Sequence, residues 1–337
     1  MKFKLGILDQ SPIFKGKTAA NAFQHTIQLA IKAEEWGYSR FWVSEHHNME
    51  QVAGSSPEVL ISHLIAHTNT IQIGSGGVML QHYSPYKVAE NFNVLSTLAP
   101  GRVDLGIGKA PGGLPLSTKA LQNGNINKGK DFNERLAFLK DLIDDSVKDN
   151  HPLSGIQALP KPEKKPEIYL LGRSTNSASF AADLKVNFVF AGFLNSDEKV
   201  LQETVYSFKS NFKEGKFIVA LAVLAAPTQE EAEKLAEDHK LFTLHLHDGR
   251  TLTVQSKEQV KAYEKQAEGP FEVQEKAADI IVGTPEYVKG ELTRLHYLYK
   301  IDEFILHTPI RRLVERFRSF QLLRPLEITA KVESKQS

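Results

Sequence analysis

The feature that most restricts the fold of this chain is a regular alternation of short apolar runs with amphipathic stretches. After the first run, apolar residues recur at helical spacing through Phe23, Ile27 and Ala30, and Gly37 follows as a stop signal. Further helices are predicted to begin at Pro57, at Pro85 and near Asp131. Eight runs have the length and composition of β-strands: residues 3–9, 41–44, 71–74, 103–107, 167–171, 187–191, 217–225 and 303–307.

Alternation of this kind predicts parallel strands joined by right-handed crossover helices. Eight strands favour an α/β fold of the closed (β/α)8 TIM-barrel type, and an open doubly wound sheet is the alternative. We predict one barrel domain over residues 1–330. Residues 114–130 are predicted to form a polar loop, residues 241–281 a mobile insertion or lid after strand 7, and residues 331–337 a disordered tail.

Composition narrows the classes of partner. The 41 basic and 40 acidic residues are interspersed and give a net charge of +1, so we expect no nucleic-acid or membrane partner and favour a small-molecule substrate. The absence of cysteine excludes disulfides and thiolate chemistry. The apolar run at the chain start is too short for a signal peptide, and we expect a soluble, cytoplasmic protein.

Ionisable and flexible residues follow several of the predicted strands. The second strand runs directly into Glu45, His46 and His47, and the third ends in small residues at 74–77. The fourth precedes a glycine-rich turn that carries Lys109. Because the carboxyl ends of barrel strands meet at one face, these residues are predicted to share a site there. Since neighbours along a strand point to opposite faces, Glu45 and His47 are predicted to support His46 from outside its pocket.

Taken together, these segments resemble the bacterial-luciferase-like, flavin-dependent monooxygenase family. The resemblance rests on order and spacing along most of the chain. The matching segments are Ser44 to His47, Ile73 to Leu80, Pro85 to Leu95, Gly101 to Gly108 and Tyr169 to Ser174. It implies a (β/α)8 barrel that binds FMN as FMNH2 and reacts it with O2 through a C4a-peroxyflavin. It also implies a flavin reductase that supplies FMNH2, a homodimer, and a small apolar organic substrate.

The resemblance assigns residues to roles. His46 matches a histidine near the reactive edge of the flavin and is predicted to be catalytic. Residues Gly74, Ser75, Gly76 and Gly77 are predicted to contact the isoalloxazine ring, with a cis peptide at Gly76–Gly77. The flavin phosphate is predicted to bind at the start of the helix after strand five, where hydroxyls and free amides meet positive charge. The predicted phosphate residues are Lys109, Arg173, Ser174, Thr175 and Ser177. Arg173 departs from the acidic residue that the family often has there.

The sequence leaves three alternative functions open. The family also contains deazaflavin-dependent oxidoreductases, and a barrel of this kind can bind a flavin without turnover. A metal-dependent hydrolase is the third, but the only His-x-His pair, His245 and His247, lies in the insertion, and we predict no metal site. The substrate does not follow from the residues.

Overall fold

The computed structural model describes residues 2–124, 131–237, 239–247, 249, 251–254 and 256–325. Eight parallel strands close into a barrel in the order β1, β2, β3, β5, β6, β7, β8, β13, and β13 pairs back onto β1. The (β/α)8 prediction is confirmed. The barrel strands are β1 (Lys4–Asp9), β2 (Arg40–Val43), β3 (Gln72–Ser75), β5 (Val103–Gly108), β6 (Glu167–Gly172), β7 (Asn187–Ala191), β8 (Phe217–Ala225) and β13 (Glu303–His307). Two short strands extend it, with β4 (Val78–Met79) on β5 and β12 (Ile280–Gly283) on β8.

Helices follow the strands as the alternation predicts. Thr18 caps the first helix with its side chain, and prolines occupy the first turn of the helices after β2 and β3. The helices are α1 (Ala19–Glu35), α2 (Pro57–His67), α3 (Pro85–Leu98), α4 (Pro115–Leu121), α5 (Phe132–Asp144), α6 (Thr175–Asp183), α7 (Glu198–Asn211), α8 (Gln229–Ala236), α9 (Lys257–Glu264), α10 (Pro285–Tyr299) and α11 (Leu313–Leu323). In the described residues, no helix is both long and apolar enough to cross a membrane.

Strand residues divide between two apolar cores, as the period of two requires. The larger core lies between the barrel wall and the helices. The smaller core fills the barrel interior and consists of Leu8, Trp42, Tyr169, Val189, Ile218, Ala220 and Ile305. Side chains therefore fill the barrel interior, and a ligand is expected at the ends of the strands.

A buried charge cluster forms the floor of the barrel interior. Arg40, 2% exposed, donates from Nε and Nη2 to both oxygens of Glu303 at 2.6 and 2.9 Å and from Nη1 to Asp104 at 2.5 Å. Trp42 Nε1 donates to the same Asp104 oxygen at 2.8 Å. Burial raises the pKa of Asp104 to about 6, against the opposing effect of Arg40. This cluster lies at the amino-terminal end of the strands, away from the predicted site.

Two segments differ from the sequence expectation. Residues 115–121 form helix α4 within the predicted polar loop 114–130, and residues 125–130 lie outside the described part of the chain. The insertion is folded, with a three-stranded antiparallel sheet of β9 (Lys240–Leu246), β10 (Thr251–Val254) and β11 (Phe271–Ala277) packed with α9. Its apolar residues alternate too weakly with charged ones for the sequence to show these strands. Its predicted mobility stays a prediction, and the tail 331–337 lies outside the described residues.

Candidate active site

The segment after β2 leaves the barrel wall and is held by its neighbours on both sides. The strand ends at Val43. The amide of His46 donates to the carbonyl of Gly54 at 2.8 Å, and the amide of His47 donates to the carbonyl of Gly112 at 2.8 Å. Two loops therefore fix the backbone that carries both imidazoles. This places His46 at the carboxyl end of the strands, as the sequence predicts.

The two adjacent histidines have different partners. His46 Nδ1 lies 3.0 Å from the hydroxyl of Ser44, a neutral group. His47 Nε2 lies 2.7 Å from Oε1 of Glu45, a carboxylate that is 1% exposed. His46 and its serine are thus separate from the His47–Glu45 pair, and the supporting role of Glu45 and His47 stays a prediction.

Glu45 organises the polar contacts behind His46. Besides His47, it accepts the hydroxyl of Tyr83 at 2.8 Å on Oε1 and the amide of Met79 at 3.1 Å on Oε2. Burial, and then the nearby Glu45, raises the pKa of the Tyr83 phenol, so this hydroxyl remains a donor. The carboxylate therefore links the ends of β2 and β4 and the start of α3.

Burial controls the protonation of His46. Together with neighbouring His47 it lowers the pKa of the imidazole to about 4, against the opposing effect of Glu45. The residue still retains partial exposure. His46 is therefore a neutral imidazole at neutral pH, able to give or accept a proton at the barrel mouth.

The glycines after β3 allow the barrel wall to pack closely on itself. A Cβ on Gly74 would lie 2.6 Å from Asp104 Cβ, and one on Gly77 would lie 2.8 Å from the backbone of Gly106. Ser75 is fully buried and donates its hydroxyl to the carbonyl of Gly106 at 2.8 Å. Packing within the wall thus accounts for the small residues at 74, 75 and 77.

Gly76 differs from these neighbours. It is the one residue of 73–80 that is partly exposed, and its peptide with Gly77 is cis, as the resemblance implies. A Cβ there would lie 2.6 Å from Leu8 Cδ1 and 3.2 Å from the Trp42 ring. Gly76 therefore presents accessible main chain directly above the interior core.

The first turn of α6 has the features predicted for an anion site. Ser174 caps the helix, because its hydroxyl accepts the amide of Ser177 at 3.3 Å, and the two hydroxyls lie 3.0 Å apart. Thr175 begins the helix. All three residues keep partial exposure, so hydroxyls, amides and the positive end of the helix dipole reach the surface together.

Two cations flank this turn. The register pairs Gly108 with Leu171, which places the following Lys109 beside the start of the α6 loop. Lys109 is exposed, and its Nζ lies 5.7 Å from the centre of the Phe132 ring. Arg173, also exposed, donates from Nη2 to Thr251 of the insertion at 3.0 Å. The structure thus gathers the predicted phosphate residues at the ends of β5 and β6.

The insertion lies over this side of the mouth. It contacts the loops that follow β2, β5 and β6, the strands that carry the predicted site residues. Its apolar face packs on Leu114 through Phe242, Leu244, Val254 and Tyr263. The polar contacts join Arg173 to Thr251, Leu116 N to Gln266 Oε1 at 3.0 Å, and Gln259 Nε2 to Met49 Sδ at 3.7 Å. These contacts make the insertion a cover for the mouth.

Two residues of the mouth, Ser44 and His307, were not predicted as site residues from the sequence. Ser44 lies two residues before His46, and a strand period of two would have placed both on one face. His307 ends the eighth barrel strand, a position that in barrels carries functional groups. The strand period at Ser44 and the strand-end position of His307 are weak indications by themselves, because they do not show which distant strands are neighbours.

Metal ligands do not cluster in the part of the chain that the structure describes, where no group of three or more His, Asp or Glu side chains could hold an ion. His245 of the insertion is exposed, and its Nε2 lies 3.3 Å from the side-chain oxygen of Gln274.

Comparison with known proteins adds the family. Residues 1–299 match the model of the luciferase-like monooxygenases. The chain is 48% identical over 331 residues to the N-acetyl-S-alkylcysteine monooxygenase of Bacillus subtilis (strain 168), covering 97% of this chain and 99% of that protein.

Solved structures share the fold. Apo-MsnO8 superposes with a TM-score of 0.77 at 30% identity, covering 96% of each chain. The oxygenating constituent of 3,6-diketocamphane monooxygenase from Pseudomonas putida, in complex with FMN, has a TM-score of 0.68 at 19% identity, with 96% of this chain and 97% of that one covered. An F420-dependent secondary alcohol dehydrogenase has a TM-score of 0.68 at 16% identity, with 96% and 99% covered. The barrel, the mouth residues and the match over residues 1–299 together establish that this chain is an enzyme of the luciferase-like monooxygenase family.

Proposed function

We propose that this enzyme uses reduced FMN and O2 to oxidise a small thioether of the N-acetyl-S-alkylcysteine class. The observation that carries the proposal is the neutral His46 at the barrel mouth, whose Nδ1 is held by Ser44. The substrate class comes from the relative that is 48% identical over nearly its whole length. The S-alkyl group of such a thioether is apolar, as the family resemblance implies for the substrate, whereas its amide and carboxylate are polar.

The residues present fit a flavin mononucleotide. The first turn of α6 offers two hydroxyls and free amides, and Lys109 and Arg173 add positive charge for the phosphate. Gly76 offers main chain without a side chain where the flat ring would lie. When bound, reduced FMN supplies two electrons, so that one atom of O2 enters the substrate and the other leaves as water.

In this proposal, His46 moves a proton at the reacting end of the mouth. A neutral imidazole whose Nδ1 is held by Ser44 keeps Nε2 for a ligand. Glu45 and His47 hold the segment that carries it, while the insertion excludes water from the mouth. These residues bind and orient the ligands and shield them from water, and the bound flavin provides the redox chemistry.

Two partners belong to the proposal. A separate flavin reductase supplies FMNH2. A homodimer forms through the face of α2 and α3, where Val59, Val94 and Leu98 are exposed although large and apolar. Light scattering of the purified protein tests the dimer, and a monomeric mass would remove it.

The experiment combines the purified protein with FMN, NADH and a flavin reductase in air, with N-acetyl-S-methylcysteine as the substrate. We expect loss of the thioether with one O2 consumed per molecule oxidised, and His46→Ala should lower turnover by about 10²- to 10⁴-fold. Oxygen consumed without loss of thioether would refute the substrate class.

The cofactor is tested separately. A parallel reaction with reduced F420 and no flavin tests the deazaflavin alternative, which the F420-dependent neighbour raises. Turnover with F420 alone would replace FMN in the proposal. Binding of FMN without any oxygen transfer to substrate would reduce the protein to a flavin binder.

A further inference from the structure

The inward face of β13 leads from the barrel floor to its mouth. Glu303 binds Arg40 on the floor, and Ile305 belongs to the interior core. With a strand period of two, His307 is the next inward residue, at the carboxyl end. The imidazole therefore lies at the mouth, on the wall formed by the last barrel strand.

The surroundings of His307 are apolar on one side. Its ring centre lies 6.2 Å from that of Phe193, which packs against the interior core. Strand β7 ends at Ala191, a small residue that follows the inward Val189 by two positions. This part of the mouth fits an alkyl group beside one polar ring.

One ring nitrogen of His307 has no partner within the described residues. The ring has a hydrogen bond with the backbone of Leu8, whereas Nδ1 is buried and unpaired. Buried polar atoms in native proteins are normally paired, so an unpaired one indicates a missing ligand or water. The residue as a whole remains partly exposed and can be reached from the mouth.

The charges around His307 favour a neutral ligand group. Burial, Arg316 and His46 lower the pKa of the imidazole to about 4, against the opposing effects of Asp9 and the Leu8 hydrogen bond. Arg316 is itself paired with buried Asp9 at 2.7 Å, so the charges beside the neutral ring largely cancel. The ring can exchange one hydrogen bond with an amide.

The order of strands separates this wall from the flavin residues. The proposed phosphate and ring contacts lie on β3, β5 and β6, whereas β13 is four strands from β5 in either direction around the eight-stranded barrel. Strands β2 and β13 both pair with β1, so His46 and His307 lie at the mouth on either side of that strand. A ligand held beside His46 on the side away from the flavin residues therefore lies next to His307.

We propose that His307 is a specificity-determining residue that hydrogen-bonds the N-acyl amide of the thioether substrate, whose alkyl group packs on Phe193. This inference rests on the proposed function. The enzyme should therefore prefer acylated to unacylated thioethers, because only the acylated compound forms the hydrogen bond with His307.

The test compares two ligands by isothermal titration calorimetry with the FMN-loaded protein. One is N-acetyl-S-methylcysteine, and the other is 3-(methylsulfanyl)propanoate, which keeps the thioether and carboxylate but lacks the acylamino group. We expect the wild type to bind the acylated compound about three- to tenfold more tightly, the effect of one hydrogen bond. His307→Leu should abolish this ratio, and His307→Gln, which retains hydrogen-bonding atoms, should keep part of it.

The controls separate the two proposals. His245→Leu removes an exposed imidazole and should leave the ratio unchanged, and all variants should keep FMN affinity. A wild type that oxidises the acylated thioether while His307→Leu keeps the same ratio overturns the role of His307 alone. A wild type that neither binds nor oxidises either thioether overturns the substrate class and this inference with it.

A second measurement needs no variant. In protein labelled with ¹⁵N-histidine, the His307 ring signals should shift when the acylated compound is added and stay in place with the propanoate. Equal shifts with both compounds would contradict an amide contact.

Discussion

The hydroxyl of Ser44 lies 3.0 Å from Nδ1 of His46, two residues further along the chain. A serine hydroxyl can donate or accept, so it tolerates either neutral tautomer of the imidazole. The neighbouring His47 instead faces a carboxylate at 2.7 Å. His46 can therefore gain or lose a proton at Nε2, whereas His47 is held in place by the carboxylate of Glu45.

Ser44→Ala should lower kcat by about tenfold with little change in KM, because the ring loses its orienting partner while the mouth keeps its shape. Ser44→Thr, which restores the hydroxyl, should recover most of the rate. Steady-state oxygen uptake measures both values. The exposed Ser210 of α7 provides the control, since Ser210→Ala removes a hydroxyl from a helix outside the mouth. An unchanged kcat in Ser44→Ala would show that the ring needs no such partner.

The phosphate site can be tested by comparing FMN with riboflavin. Lys109→Ala should weaken FMN binding by about tenfold while leaving riboflavin binding unchanged, since only FMN carries the anion. Quenching of flavin fluorescence measures both dissociation constants. Lys213→Ala, at an exposed residue between the end of α7 and the start of β8 at the opposite end of the barrel, is the matched control. Equal losses for the two flavins would place the phosphate elsewhere.

The floor cluster predicts a large stability effect. Arg40→Met leaves Asp104 and Glu303 buried without their cation and should lower the free energy of unfolding by about 3–5 kcal/mol at pH 8. This loss of stability should shrink as the pH falls, because Asp104, whose pKa is raised by burial, becomes protonated. Urea denaturation at pH 8 and pH 5 measures it. Arg294→Met, which breaks a more exposed ion pair with Glu198, should cost less than about 1 kcal/mol.

His307 predicts how stability depends on pH. Its pKa is about 4 in the folded protein and near its ordinary value of 6.5 when unfolded. Between these values the unfolded chain binds more protons, so stability falls as the pH falls from 6.5 to 4. His307→Gln should remove about 1–2 kcal/mol of the loss between pH 7 and pH 5. Urea titrations of both proteins measure the difference, with His245→Gln as the exposed control. An identical loss in wild type and His307→Gln would contradict the buried neutral ring.

Much of the fold followed from local pattern. The eight runs and their helices are decided by apolar spacing, by prolines in first turns and by glycine stops, which act over a few residues. The placement of His46 and of the α6 turn also follows, because parallel strands bring their carboxyl ends to one face. The folded insertion did not, since its short strands are stabilised by pairing with each other and by packing on Leu114.

By itself the sequence determined a (β/α)8 barrel, the end at which chemistry occurs and the residue types available there. Only the tertiary structure decided how those residues are used. It pairs Glu45 with Tyr83 from a different element and commits Ser75 to the carbonyl of Gly106. It also brings His307 from the last strand to the mouth near His46. The physical reason is that strand patterns are local, whereas hydrogen-bond partners and burial depend on which distant strands become neighbours when the barrel closes.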